Sequence, residues 1–218
     1  MTEPAPRPAD PTSPSTSPVD TDTAAPEQRT AQPSAAGGQA PSMAEIFLAQ
    51  AVTEVESHVA TTGWDAPLRV FALVSTQAAL EAEPALADAL PTEAVDAARD
   101  NPLHLTSVEQ DGVPESIQLD DLLASITWPE AVAGAALVVE RIILPPSAEE
   151  GVPEDPSAAL AYLAEHPDRQ DVRMAVGVLR DGTSWCALRT RTNDTASDVA
   201  GGPALVPGLV DALRATFD

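Results

Sequence analysis

Arg169, Arg173, Arg180, Arg189 and Arg191 crowd a short stretch near the C-terminal end of the sequence. A group of guanidiniums can grip a carboxylate or phosphate through paired N–H donors, so it could bind an anionic ligand or a partner's acidic segment. Arg189 and Arg191 stand two apart, which places both on one face of a strand. Arg141 sits in another strand-like stretch and points away from its neighbour Glu140. The same arginines have a simpler use, as internal partners for abundant Asp and Glu, and the sequence favours that use. His166, followed by Asp168, could work as a general acid–base pair if a pocket held both. It also falls at the end of a predicted helix, where the helix dipole welcomes a cation, and this role accounts for it without catalysis. The candidate ligand or partner contacts are therefore Arg141, Arg173, Arg189, Arg191 and His166.

Other chemistries find little support. Cys186 is the sole cysteine and lies between Trp185 and Ala187 in a strand-like run, where a buried small apolar residue is expected. His58 follows Glu54 by one helical turn, but two ligands do not make a metal site. No phosphate-binding loop, HExxH, CxxC or GxSxG occurs, nor a GxGxxG after a strand. The sequence thus offers no cofactor or metal motif, and it leans away from an enzyme.

Charge narrows the partners. The chain of 218 residues has 34 Asp and Glu against 11 basic residues, all of them Arg, for a formal charge of -23. Nucleic-acid binding needs a basic face and is not expected. No apolar run reaches membrane-spanning length, so no membrane partner is expected.

Residues 1–42 differ from the rest. They hold 9 of the 22 prolines, 11 Ser or Thr and none of the seven aromatics. Such a segment buries too little to offset its ordering entropy and reads as a disordered tail. A translation start at Met43 would account for it equally. It lacks the apolar stretch of a signal peptide. Its Arg7 and Arg29 against Glu3, Asp10, Asp20, Asp22 and Glu27 leave -20 on residues 43–218. Those residues suit a single domain.

The elements that must position the candidates follow from periodicity. Leu48, Val52, Val55 and Val59 predict a helix over 43–62, stopped by Gly63. Strands are predicted at 68–74, 103–110 and 135–144. Helices are expected after a cap at Ser75 or Thr76, after Thr92, over 119–126 and from Asp155 to His166. Val172–Leu179 and Ser184–Thr192 predict a hairpin closed by Asp181-Gly182 as a type I′ turn. That turn sets Met174 opposite Arg189 and Val172 opposite Arg191. A last helix follows Gly201-Gly202-Pro203. The sum is an α+β fold, an antiparallel sheet of about five strands with helices packed on it. The strand 135–144 is apolar on both sides. Either helices cover both faces, or a protein partner or homodimer covers one.

Without the helical insert and the short helix, the element order resembles that of the type III secretion chaperones. A second resemblance rests on Gly63-Trp64-Asp65-Ala66-Pro67, Trp128-Pro129-Glu130, His166-Pro167-Asp168-Arg169-Gln170, Gly177-Val178-Leu179-Arg180-Asp181-Gly182, Cys186-Ala187-Leu188-Arg189 and Leu205-Val206-Pro207-Gly208-Leu209. Together these stretches resemble an actinobacterial family of uncharacterised proteins, from about residue 46 to the C-terminus. The resemblance implies an intracellular, cytoplasmic bacterial protein and carries no catalytic residues. An adaptor or chaperone-like role through protein contacts is the leading expectation. An anion-binding protein or enzyme using the arginines with His166 is the alternative.

Overall fold

The computed structural model describes residues 40–114 and 118–218. The expected disorder of the tail lies almost wholly outside the described residues. Helix α1 (Met43–Ala60) starts where the Ser42 hydroxyl accepts the Glu45 amide, and it puts Leu48, Ala51, Val52, Val55 and Val59 on a buried stripe. Strand β1 (Arg69–Ser75) leads into an insert. The insert holds α2 (Thr76–Ala82), capped by Ser75, a 3-10 turn (Pro84–Asp88) and α3 (Thr92–Asp100). Then come β2 (Leu105–Glu109), α4 (Leu119–Ser125) and the long β3 (Val132–Ile143). Short α5 (Pro146–Glu149) precedes α6 (Pro156–Glu165), where the Asp155 carboxylate accepts the Ala158 amide, 2.8 Å, and proline fills the first position. The chain ends with β4 (Gln170–Leu179), β5 (Ser184–Thr190), β6 (Ala200–Gly202) and α7 (Pro207–Arg214).

The fold is α+β, with the six strands in one antiparallel sheet of order β2-β1-β3-β4-β5-β6. The sixth strand, β6, exceeds the expected five. Its glycines disguise it as a chain break. A side chain on Gly201 would press the Trp185 ring, and one on Gly202 would press Leu205, so only a bare backbone pairs there with β5.

Helices cover both faces of the central strands, as the two-sided pattern of β3 allows. Under α1 lie Phe71, Leu73, Ala136, Val138, Ala175 and Ala187. On the opposite face α7 and α4 bring Val210, Leu213 and Leu123 against Leu137, Val139, Val176, Val178 and Cys186. Trp128 joins this second core; its ring stacks on Phe217 and its indole N–H donates to the Thr216 hydroxyl, 2.9 Å. Each core is built from alternate residues of the same strands, so both depend on one register.

That register corrects the sequence-based one by a residue. Arg173 faces Arg189, Met174 faces Leu188 and Val172 faces Thr190. The turn is not type I′, which needs a positive φ at both central residues. Gly182 alone turns left-handed, at φ 89°, while Asp181 does not. The loop is therefore Arg180-Asp181-Gly182, closed by the Leu179 amide donating to the Thr183 carbonyl at 2.8 Å. A three-residue loop of this kind, with glycine last, is the next most common hairpin connection. Its Arg180 guanidinium reaches the carbonyls of Val132, Trp128 and Pro129, which ties the turn to the start of β3.

Candidate functional site

The corrected register assembles the arginines. Glu140 of β3, Arg173 of β4 and Arg189 of β5 form one cross-strand row on the α1 face. α1 lowers Glu56 onto this row. Arg189 donates through Nε and Nη2 to both Glu56 oxygens, each at 2.7 Å, and Arg173 stands 3.8 Å from Glu56. Arg173 donates to Glu140 at 3.0 and 2.8 Å and to the Gly63 carbonyl. Glu56 and Arg173 are fully buried, and Arg189 is 5 % exposed. The hydrogen bond that Arg189 donates to Glu56 raises the Arg189 pKa above its already high ordinary value, against the opposing effect of burial.

The loop after α1 closes the network. Trp64 lies under the Arg173 guanidinium, 4.4 Å from ring centre, and under Arg191 at 5.6 Å. Its indole N–H donates to Asp194, 2.9 Å, which also stands 3.4 Å from Arg189. Asp65 takes both arms of Arg191, at 3.1 and 2.9 Å, while its own amide donates to Glu140, 2.7 Å. This fork raises the exposed Arg191 pKa. Asp65 adopts φ 66°, the left-handed region that Asp enters more readily than most residues. Asp65→Ala is expected to cost about 1–2 kcal/mol from backbone conformation alone. Asp65→Asn keeps the tolerance and loses the charge, so urea melts of the two variants separate backbone from ion pair. Equal losses would assign the whole effect to the ion pair.

Three of the five sequence candidates therefore converge, Arg173, Arg189 and Arg191, and each already holds a carboxylate. Arg141 lies on the opposite side of β3 from Glu140, as alternation requires. It lines an open cavity of about 380 Å³ at the sheet end together with Arg169, Arg191, Asp65, Glu140 and Asp171. Its guanidinium donates to the Glu140 carbonyl, 3.1 Å, and no carboxylate lies within ion-pair distance of it among the described residues. His166 does not join them. It ends α6, its ring Nδ1 accepts the Asp168 amide at 3.1 Å, and the Tyr162 ring lies against it. The backbone of Asp168, not its carboxylate, makes this contact. His58 faces Glu109 at 3.8 Å rather than acting with Glu54. Among the described residues no three potential metal ligands cluster, and no helix is long and apolar enough to cross a membrane.

A second surface is apolar. On the α7 side of the sheet, Val70 and Ala72 of β1 are buried while Val108 at the β2 edge is exposed. The space between α4 and the sheet is an open groove of about 720 Å³, floored by Val70, Ala72, Val74 and Val108 and walled by Leu122, Ile126 and Trp128. Asp111 is the one charged residue that lines it among the described residues. Val108 is 46 % exposed.

The family profile described as PPA1309-like protein matches residues 48–218. The chain belongs to that family. The span matched to the PPA1309-like family opens inside α1 and includes every strand, Glu56, the arginine row and the groove. No curated protein matches the chain, and no solved structure does. The likeness to secretion chaperones is not confirmed: it rests on element order alone, and β6 adds a strand to that order.

Sequence reasoning passed over Glu56, the groove and the second half of the loop at Trp64. A signal for Glu56 existed. Leu48, Val52 and Glu56 are spaced by four, so the glutamate interrupts a buried stripe at a core position. The groove had no such signal, because Val108 reads like any strand valine.

Proposed function

We propose that this domain acts through protein contact and not through catalysis at its arginines. The observation that carries the reading is the apolar groove over β1 and β2, open to solvent at Val108. Apolar surface left in a groove with a polar surround is characteristic of a binding face. The charge of -23 favours a basic partner. An adaptor or chaperone-like role fits both features.

The test is affinity capture from native cytosol with the full chain and three variants. A protein retained by the wild type is expected to be lost, about tenfold or more, with Val108→Asp, since a buried unpaired charge opposes an apolar contact. It is expected to stay with Arg141→Ala and Leu160→Glu, whose sites lie outside the groove. Val108→Asp must melt like the wild type. Equal retention by Val108→Asp would end this reading.

A second reading has its own observation. Among the described residues Arg141 has no carboxylate within ion-pair distance at the sheet-end cavity, whose other arginines, Arg169 and Arg191, face Asp65 and Asp171. A small carboxylate that also carries an ammonium group would match this mixture. If so, screening zwitterionic ligands by thermal shift yields a hit that Arg141→Ala abolishes, and loss of the Arg141 side chain without effect removes the reading.

A further inference from the structure

The outer edge of β2 deepens the contact reading, on which the following inference rests. Two hydrogen bonds fix the phase of β2 against β1. The Gln110 amide donates to the Val70 carbonyl, 2.8 Å, and the Thr76 amide donates to the His104 carbonyl, 3.0 Å. With the register Ala72↔Val108 and Val74↔Thr106 between them, the even-numbered residues of β2 bond inward. The amides and carbonyls of Leu105, Ser107 and Glu109 therefore point away from the sheet. β2 is the last strand on this side, and no backbone partner for these groups occurs among the described residues. An unpaired strand edge is a template for another strand. The opposite edge, β6, is only three residues long.

The two faces of β2 state what such a strand would carry. Val108 is on the groove side, continuous with Val70 and Ala72. Glu109 is on the α1 side, 39 % exposed at its side chain, and held only loosely by His58 at 3.8 Å and Arg69 at 3.6 Å. A strand beside β2 would thus meet the exposed Val108 on one face and a carboxylate on the other. We propose that the β2 edge and its groove bind an extended segment of a basic protein, which adds as a seventh strand with apolar residues alternating with Arg or Lys. Main-chain bonds would supply affinity and the two faces selectivity. A second copy of this chain is a poor occupant. β2 has the sequence Leu105-Thr106-Ser107-Val108-Glu109, with no cation to offer, and each copy brings a charge of -23.

The probe is a blocked peptide of roughly eight residues, the length of an ordinary strand, alternating valine and lysine. Its control has glutamate for lysine. Binding to the full chain is followed by fluorescence anisotropy and by amide exchange. The lysine peptide is expected to bind, to slow exchange at Leu105, Ser107 and Glu109, and to weaken about fivefold as salt is raised beyond physiological strength. Ser107→Pro removes one outward donor without touching a bond to β1, as tolerated on edges. It should weaken binding about three- to tenfold, the worth of one hydrogen bond. Glu109→Lys leaves the backbone intact and should exchange the preference from the lysine to the glutamate peptide.

Absence of exchange protection at the three amides, or indifference to both Ser107→Pro and Glu109→Lys, overturns strand addition. If Val108→Asp still abolishes capture of the cellular partner in that case, the contact reading survives and only the strand is wrong. A wild-type dimer in sedimentation that Ser107→Pro dissolves would overturn the basic partner in favour of a second copy.

Discussion

Glu56→Ala is expected to destabilise the domain by about 3–5 kcal/mol, because it leaves two buried guanidiniums short of a counter-charge. Arg189 loses both of its 2.7 Å bonds, and Arg173 is left with Glu140 and the Gly63 carbonyl. A guanidinium keeps its proton in proteins, so neutralisation brings no relief. In the wild type the hydrogen bond to Glu56 raises the Arg189 pKa above its ordinary value. A shift in this direction stabilises the fold at every pH below the unfolded-state value and fades only as pH rises through the folded one. The arginine side of the network is therefore insensitive to pH around neutrality.

Breaking a pair and deleting it are different experiments. Glu56→Leu with Arg189→Met removes both charges and keeps most of the volume. That double variant is expected to lose less stability than Glu56→Ala alone, because an apolar pair needs no desolvation. Urea unfolding of the three proteins reads the difference. Should Glu56→Ala cost under about 1 kcal/mol, the range of exposed pairs, the row is not the closed network described above.

Much of the fold was legible because local signals and packing agree. The α1 stripe at Leu48, Val52, Val55 and Val59 predicts the helix that forms, and Ser75 and Asp155 cap the helices expected of them. The hairpin shows where legibility ends. Asp-Gly is compatible with two turns that differ by one residue, and the choice inverts which residues share a face. With the type I′ register, Arg189 would have met Met174 across the strands; the observed turn sets it beside Arg173 and under Glu56. A cross-strand row of Glu140, Arg173 and Arg189 cannot be read from any one strand, because it exists only once three registers are set. The same holds for β6, whose pairing is visible only beside Trp185. The arginines were legible as a group and their internal pairing was the favoured outcome, but not their burial, which depends on a carboxylate 133 positions from Arg189.

Gly177→Ala is the other large expected effect, at about 1–3 kcal/mol or more, because it overpacks the seat of α1. A methyl group there would overlap Val52 Cγ2 and stand 3.1 Å from Leu48 Cδ1. Both side chains are fully buried, so neither can swing aside into solvent. The strain must lift the helix or bend β4. Val52→Ala should therefore recover part of the loss in the Gly177→Ala background while being destabilising by itself, a coupling that denaturant melts measure. The helix also links this seat to the ion network. Glu56 stands one turn beyond Val52, so lifting α1 at Gly177 lengthens the Glu56–Arg189 bonds. Gly177→Ala and Glu56→Ala are then expected to cost less together than the sum of their separate costs. Strict additivity would mean that the sheet, and not the helix, absorbs the methyl group.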